Sequence, residues 1–325
     1  MASATRRAFL AAGLALGAPR IGAAQEAYPS RPITMVIPWA AGGSTDTLGR
    51  ILAQAMAADL GQPVVVENRG GASGTVGHGH VARSRPDGHT ILLATNSTYA
   101  MAPHLMRSLP YDNRAAFTPV SLVARSPQAL SVHPSVPVNS VAELVALAKA
   151  GPGQINFSSA GIGASSHLAT ELLMAKAGIQ LVHVPYRGGG PSAQGLLAGE
   201  VAMSFVDLVT ALPFRANGQL KVLAVSTVQR SDFAPDLPTL AEAGIPDFDS
   251  STDVAMMLPA GALAALVSHL HGSLVKALAD VDTRRRVMAA GIEPIGSSPA
   301  EFDAYWTREL AKWGEIIRRQ NITTE

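Results

Sequence analysis

The sequence predicts an α/β protein with two similar domains and mainly parallel sheets. Three observations support this fold class. Apolar, β-branched runs alternate with helical patterns along most of the chain. A strand followed by a glycine loop and a helix occurs once in each half. The length of 325 residues is sufficient for two domains, since a domain usually contains ~100–200 residues.

The first half contains short apolar runs that are separated by glycine or by helical periodicity. The expected strands are residues 34–39, 64–66, 90–95, 120–124 and 129–132. The expected helices are residues 48–60 and 141–150, and a glycine-rich stretch covers residues 70–79.

The second half repeats the opening pattern of strand, glycine loop and helix. The expected strands are residues 155–158, 181–184, 201–206 and 221–226. The expected helices are residues 165–177, 192–198, 262–279 and 299–319. Glycine loops at 160–163 and 188–191 precede two of these helices.

The chain is expected to cross between the domains twice, near residues 126–134 and 246–259. These crossings divide the mature chain into two parts. Domain 1 is expected to contain residues 28–128 plus 250–325, and domain 2 residues 129–249.

The N-terminal segment has the features of an export signal. Arg6 and Arg7 precede Phe9 and a short apolar run, and this run is too short for a membrane span of ~20 residues. Small residues suitable for cleavage follow. We expect a twin-arginine type signal over residues 1–24, with cleavage after Ala24 or Ala27 and a mature protein in the periplasm.

Composition excludes several function classes. The 25 Lys and Arg residues balance 24 Asp and Glu, whereas binding to nucleic-acid phosphates requires a basic surplus. The chain has no cysteine, which excludes disulfides, thiolate metal sites and cysteine nucleophiles. His78 and His80 would point in different directions on a helix, with no third metal ligand nearby. We therefore expect no metal and no nucleic-acid partner. The sequence also has no P-loop, no H-E-x-x-H and no G-x-S-x-G motif, so we expect no cofactor and no catalytic residue.

The loops that follow the strands are the candidate ligand sites. In an open α/β sheet, ligands bind beyond the carboxyl ends of the strands, and the first N–H groups of the following helix attract anions. Ser44 and Thr45 lie where the first helix begins and are able to donate to a carboxylate. Asp46 either caps that helix or contacts a ligand. The equivalent loop of the second half is flanked by Ser158, Ser159, Ser165 and Ser166.

Three further residues adjoin these loops. Arg187 precedes three glycines and begins a third possible anion loop. Asp207 follows an apolar strand, where it either accepts a hydrogen bond from a ligand or caps a turn. Trp39 ends the first strand, where it either packs in the core or forms an apolar wall of a cleft. If the domains face each other, the helix ends converge on one cleft suited to a molecule with one or two carboxylates.

The chain also carries an ordered set of motifs. Tyr-Pro-Ser-Arg-Pro-Ile at 28–33 is followed by Ile-Pro-Trp-Ala-Ala-Gly-Gly-Ser-Thr-Asp at 37–46. Further motifs lie at 67–72, 86–90, 109–112, 158–168, 185–188 and 236–244, and in the final helix with Trp313. This set, which covers nearly the whole mature chain, resembles the substrate-binding proteins of tripartite tricarboxylate transporters, also called Bug receptors.

The resemblance implies a two-domain periplasmic binding protein fold of type II, with the ligand cleft between the domains. It implies a receptor without catalysis that closes on a small carboxylate and delivers it to a membrane permease. Ligand contacts are implied for the loop after strand 1, the end of the third strand, the serine–glycine loop of domain 2 and the acid at 207. The expected ligand-binding residues are Trp39, Ala40, Ser44, Thr45, Asp46, Asn96, Ser97, Thr98, Ser159, Gly161, Gly163, Ser165, Tyr186, Arg187 and Asp207.

Departures from the family pattern concern the identity of the ligand. Ala40 and Ala41 stand where many members have a proline before the first glycine pair, and Trp39 stands where many carry Phe. An indole at this position favours a flat or partly apolar carboxylate. The expected partners are an organic acid (a dicarboxylate, an amino acid or an aromatic carboxylate) and permease subunits, with the receptor itself a monomer.

Two alternatives remain open from the sequence. An exported α/β hydrolase would use Ser165 or Ser166 with His167, and with an acid that orients the imidazole ring. A ligand sensor would use the same domain closure, but it would report to a membrane signalling protein.

Overall fold

The computed structural model describes residues 28–319 and 321–323. The export signal expected over residues 1–24 therefore lies outside the described residues. None of the described helices is both long enough and apolar enough to cross a membrane.

The described part of the chain contains ten strands. They are β1 (Ile33–Ile37), β2 (Val64–Asn68), β3 (Thr90–Thr95), β4 (Phe117–Val132), β5 (Asn156–Ser159), β6 (Val182–Pro185), β7 (Met203–Asp207), β8 (Lys221–Val225), β9 (Ser251–Pro259) and β10 (Glu293–Pro294).

The α-helices lie on both faces of these strands. They are α1 (Ser44–Leu60), α2 (Thr75–Ala82), α3 (Ala102–Leu105), α4 (Val141–Ala150), α5 (Ser165–Ala177), α6 (Gly189–Leu197), α7 (Leu208–Ala216), α8 (Ala264–Ala279), α9 (Val281–Ala289) and α10 (Pro299–Arg319). A 3-10 turn at Ala72–Gly74 precedes α2, and a π-helical turn at Ser97–Met101 precedes α3.

Strand β4 belongs to two groups of strands. Its residues 117–127 pair with β9, whereas residues 128–132 pair with β7 and β8. The first group has the order β2-β1-β3-β9-β4, and β10 also pairs with β4. The second group has the order β4-β7-β5-β6, and β8 also pairs with β4. We call the first group, with the helices packed on it, the first lobe. We call the second group, with its helices, the second lobe.

Side-chain alternation along the strands gives each lobe an apolar core on both faces of its sheet. In β1, Ile33, Met35 and Ile37 pack against α1, while Val36 faces the opposite core with α10. In β7, Phe205 and Val206 divide in the same way between the two cores of the second lobe. Both faces of the strands are therefore covered by helices, which leaves the loops at the strand ends available for binding.

Three expectations about the strands are corrected. Residues 120–124 and 129–132 are not two strands but parts of the single strand β4. Residues 251–259 form strand β9, which the sequence assigns only to a crossing segment. The sheets are mixed and not mainly parallel, because the crossing strands β4 and β9 run antiparallel to their neighbours.

Candidate functional site

A cleft of about 750 Å³ lies between the two lobes. Helices α1, α5 and α6 each begin at its wall, so three helix N-termini meet there. The residues predicted from the sequence that line the cleft are Trp39, Ala40, Ser44, Thr45, Asp46, Ser97, Gly161, Ser165, Tyr186, Arg187 and Asp207. The topology therefore brings most of the expected loops together in one place.

Asp46 organises the loop before α1 through hydrogen bonds. Its Oδ2 accepts from the Gly42 amide and from Arg50 Nε at 3.0 Å each, and its Oδ1 accepts from Arg50 Nη2 and from Asn68 Nδ2. Burial opposes ionisation, but the hydrogen bonds from Arg50, Gly42 and Asn68 outweigh it and hold the pKa of Asp46 below its ordinary value. The carboxylate lines the cleft, yet its hydrogen-bonding capacity is used within the first lobe.

Trp39 forms part of the wall of the cleft. Its Nε1 donates to Thr95 Oγ1 at 2.9 Å, which fixes the plane of the indole ring. The ring is half-buried and also packs against the core beneath α1. Both roles considered from the sequence, core packing and cleft wall, are thus combined in one side chain.

The loop before α5 contacts the first lobe directly. The Ser165 amide donates to Ser97 Oγ at 3.0 Å, and Ser165 Oγ shares a hydrogen bond of 2.8 Å with Thr252 Oγ1. Gln128 Nε2 also donates to Ser165 Oγ at 3.3 Å. Ser166 Oγ accepts from the Ala160 amide at 3.0 Å and closes the loop. These contacts hold the N-terminus of α5 next to the crossing strands.

Asp207 lies at the end of β7, where the two lobes meet. Burial raises the pKa of this carboxyl, and interactions with the hydroxyls of Ser44, Ser126 and Thr252 offset the increase only in part. Ser44 belongs to α1, while Ser126 and Thr252 belong to β4 and β9. A carboxyl with a raised pKa is able to donate a hydrogen bond when neutral and to accept one when ionised.

Arg187 supplies the positively charged side chain among the described residues that line the cleft. It is exposed and stands just before the N-terminus of α6. Its neighbour Tyr186 donates through its hydroxyl to Glu200 Oε2 at 2.6 Å. Arg187 is therefore positioned to attract an anion to the entrance of the cleft.

Four residues predicted to bind the ligand lie outside the lining. Asn96 donates to the Ser251 carbonyl at 2.8 Å, and Thr98 donates to the Ser73 carbonyl at 2.9 Å. Ser159 Oγ lies 2.6 Å from His183 Nε2. The Gly163 amide donates to His167 Nδ1 at 3.2 Å. These residues support the walls from behind.

Sequence reasoning missed several residues that line the cleft. They are Gly70, Gly71, Ala72, Ser73, Thr95, Gln128, Ile162, Ser192, Thr210 and Thr252, together with other loop residues of the same segments. The glycine-rich stretch from residue 70 was a usable signal, since it follows β2 as the other loops follow their strands. Gln128 and Thr252 lie within strands and carried no such signal.

The geometry of His167 does not match the hydrolase alternative. Its Nδ1 accepts from the Gly163 amide, and its Nε2 lies 3.4 Å from Glu171 Oε1, so neither nitrogen bonds Ser165 or Ser166. The serine–histidine pair Ser159–His183 stands outside the lining. Burial and the adjacent His167 ring lower the pKa of His183 to about 4, which makes it a weak base at neutral pH. Within residues 28–319 and 321–323, no group of three or more His, Asp or Glu is placed to hold a metal ion.

Comparisons with known proteins show which family this chain is similar to. A family model described as a tripartite tricarboxylate transporter family receptor matches residues 48–322. Protein BugT of Bordetella pertussis is 35% identical over 294 residues, which are 90% of each chain. An R. palustris protein whose structure was solved with adipate has a TM-score of 0.86 and 32% identity, and the match covers 91% of this chain and 99% of that one.

A second solved structure, MatC from Rhodopseudomonas palustris with bound malate, has a TM-score of 0.82 and 31% identity. The match covers 89% of this chain and 100% of that chain. Such similarity over nearly the whole length confirms the fold class expected from the sequence.

Proposed function

Because the chain belongs to the family of tripartite tricarboxylate transporter receptors, we propose that it is a periplasmic receptor for a small organic carboxylate. The ligand binds in the cleft between the lobes, and the closed receptor delivers it to a membrane permease. The observation that carries this proposal is the meeting of the α1, α5 and α6 N-termini at one cleft of about 750 Å³.

The helix N-termini explain why a carboxylate suits this cleft. The first N–H groups of a helix have no partner within the helix, and the aligned peptide dipoles place partial positive charge there. Ser44 and Thr45 add hydroxyl donors at α1, and Arg187 adds a charge at the entrance. Adipate and malate, the acids named with the two R. palustris structures, differ in length and in the presence of a hydroxyl group. They are therefore useful probes for this receptor.

Closure is part of the proposal. Strand β4 passes from the first lobe to the second, and the chain returns to the first lobe just before β9. Bending at these two crossings would open the cleft without breaking either core. The domain division expected from the sequence, residues 28–128 plus 250–325 against 129–249, has its boundaries at the same two crossings. A carboxylate that contacts α1 and α5 together would bind the closed form better than the open form, and it would shift the receptor toward closure.

The remaining parts of the proposal concern the receptor's location, its partners and the absence of catalysis. The twin-arginine type signal would place a monomeric receptor in the periplasm, where permease subunits are its partners. We favour the absence of catalysis, since the His167 ring is bonded away from the cleft serines. A sensor role would need the same closure, and a pull-down of membrane partners with the closed receptor would separate the two.

A thermal-unfolding screen of the mature protein tests the proposal. The probes are malate, succinate, adipate, citrate, aspartate and benzoate, with succinamide as the uncharged control. A ligand at 100 times its dissociation constant adds ~2.7 kcal/mol to the free energy of unfolding, which would raise the midpoint by several degrees. The proposal predicts a selective rise with one class of acid. No rise with any acid, in a sample that mass spectrometry finds free of bound acid, would contradict it.

A pair of variants assigns the effect to the cleft. Ser44→Asp adds a negative charge at the N-terminus of α1, which favours the helix but repels a ligand carboxylate. Ser140→Asp makes the same change at the N-cap of α4, outside the cleft. Ser44→Asp should abolish the ligand-induced rise, and Ser140→Asp should retain it.

A further inference from the structure

One hydrogen bond joins the two walls of the cleft at the glycine-rich turn. Ser73 Oγ donates to the Ile162 carbonyl at 2.9 Å. Ser73 lies in the first lobe and Ile162 in the second, and both residues line the cleft. We propose that Ser73 is a closure latch, a positioning residue whose hydroxyl stabilises the closed receptor without recognising the ligand. This inference rests on the function proposed above.

Hydrogen bonds within the first lobe hold the backbone of the latch. Residues 71–74 form a tight turn in which each carbonyl accepts a hydrogen bond from the first lobe. The donors, in order along the turn, are the Gly74 amide at 3.0 Å, Thr75 Oγ1 at 2.8 Å, Thr98 Oγ1 at 2.9 Å and His78 Nδ1 at 3.1 Å. Because a carbonyl only accepts, His78 carries its proton on Nδ1. The Ser73 hydroxyl is thus presented by a rigid support.

The backbone conformation at position 73 also suggests that the serine hydroxyl has a role. Ala72 and Ser73 have φ angles of 44° and 52°, in the left-handed region that glycine adopts most easily. A serine there has a less favourable backbone than a glycine would have. What the serine adds is the hydroxyl, and the partner of that hydroxyl is across the cleft.

Hydrogen bonds also hold the loop that contains the accepting carbonyl of Ile162. Gly161 and Gly163 have φ angles of 130° and 78°, and Ile162 stands between them. The Gly163 amide is held by His167 Nδ1, and the Ala164 amide donates to the Gly161 carbonyl at 3.1 Å. These bonds fix the direction of the Ile162 carbonyl toward Ser73.

A latch and a ligand contact have different consequences. Apparent affinity falls in proportion to the population of the binding-competent state. Loss of the latch should therefore weaken every ligand by the same factor, and faster dissociation should account for it. The hydrogen bond from Ser73 to Ile162 is exposed, and losing one hydrogen bond corresponds to about a two- to tenfold change in the dissociation constant. A direct ligand contact would instead weaken one class of acid more than another.

The test uses Ser73→Ala, which removes the hydroxyl, and Ser73→Gly, which also relieves the backbone. Ser84→Ala is the matched control, because Ser84 Oγ donates to the His80 carbonyl within the first lobe at 3.0 Å. Dissociation constants and rates are measured for the two acids that raise the wild-type unfolding midpoint most. We expect both Ser73 variants to lose the same two- to tenfold affinity for both acids, and Ser84→Ala to match the wild type. A loss confined to one acid, or no loss, would overturn the latch.

A distance measurement examines the latch without any ligand. The chain has no cysteine, so spin labels attach only at Ala58→Cys and Ala146→Cys, which are exposed positions on α1 and α4. Double electron–electron resonance should give a longer mean distance in both Ser73 variants than in the wild type and Ser84→Ala. Identical distance distributions in all four proteins would overturn the latch. If no acid binds the wild type, the proposed function fails, and this measurement still judges the latch.

Discussion

Gln128 and Asp207 lie opposite each other on the neighbouring strands β4 and β7, at the residue where β4 leaves β9 and joins the second lobe. The half-buried residue Asp207 is therefore paired with the strand about which the lobes are proposed to bend. Asp207 belongs to the second lobe, and its interactions with Ser44 and Thr252 reach across to the first lobe. A ligand that contacts Asp207 would therefore bind beside the place where the lobes are proposed to bend.

The first prediction concerns the pH dependence of ligand affinity. The pKa of Asp207 is raised, so the neutral form persists to higher pH than for an exposed Asp. A neutral carboxyl donates to a ligand carboxylate, whereas an ionised one repels it and attracts an ammonium group. As the pH rises through this raised pKa, affinity for succinate should fall and affinity for aspartate should rise. Calorimetric titration over a pH series measures both.

The matched variant for this prediction is Asp207→Asn, which keeps the shape and removes the titration. Its affinities should be independent of pH above the range in which the ligands themselves titrate. If the variant retains the opposite trends of the wild type for succinate and aspartate, Asp207 is not their source.

The second prediction uses Trp39 as a reporter. Of the three tryptophans, Trp306 and Trp313 are fully buried away from the cleft, while Trp39 lines it. Ligand binding should therefore change the tryptophan fluorescence through Trp39. Trp39→Phe should remove that change, and it should weaken benzoate more than malate because the larger apolar wall is lost. Equal loss for the two acids would contradict the proposed preference for flat or partly apolar ligands.

The third prediction concerns the stability of the loop before α1. Asp46 is buried and accepts four hydrogen bonds, so Asp46→Asn should lower the free energy of unfolding by ~1–3 kcal/mol at neutral pH. Because the folded pKa is lowered, this stabilisation is present above the unfolded pKa near 3.8 and is lost as the pH falls through the folded pKa. Denaturant unfolding at two pH values measures it.

The control for this prediction is Asp282→Asn, at an exposed ion pair with Arg285 on α9. Its effect on the free energy of unfolding should stay within ~0.5 kcal/mol. Equal effects of the two substitutions would show that the Asp46 network contributes nothing specific.

The fourth prediction tests closure by steric obstruction. A Cβ at Gly163 would lie 2.9 Å from Leu105 Cδ1 in the first lobe. Because the Leu105 side chain is buried in a core cluster, Gly163→Ala should displace this contact between the lobes and lower ligand affinity. Gly153 has a similar φ of 72°, but no atom lies within 4 Å of the position of its Cβ. Gly153→Ala should therefore cost similar backbone strain without reducing affinity. Equal affinities of the two variants would contradict closure at this contact.

The sequence could predict the parts of the cleft that lie at strand ends. Trp39, Ser44, Arg187 and Asp207 stand where an apolar run gives way to a loop and a helix, and parallel strands bring such ends to one edge of a sheet. Asn96 lies outside the lining although Ser97 and Thr95 are in it. Neighbouring residues at a strand end point in opposite directions, and the sequence does not indicate which of them faces the cleft.

The other residues of the site are brought together by strand pairing and lobe packing, which the sequence pattern does not indicate. Gln128 and Thr252 lie inside β4 and β9, where the pattern indicates only burial. Strand β9 itself is apolar on both faces because helices cover both, so it lacks the alternation that marks a half-buried strand. The glycines around Ser73 predict a tight turn, but the side chain that reaches across the cleft follows from the packing of two lobes.

The most direct test of the account is calorimetric titration of the mature wild-type receptor with the acid that stabilises it most, alongside Ser44→Asp. One ligand should bind per wild-type chain, and Ser44→Asp should bind it with much lower affinity. Unchanged binding in Ser44→Asp, or no heat with any acid in a receptor free of bound ligand, would contradict a carboxylate site at the helix N-termini.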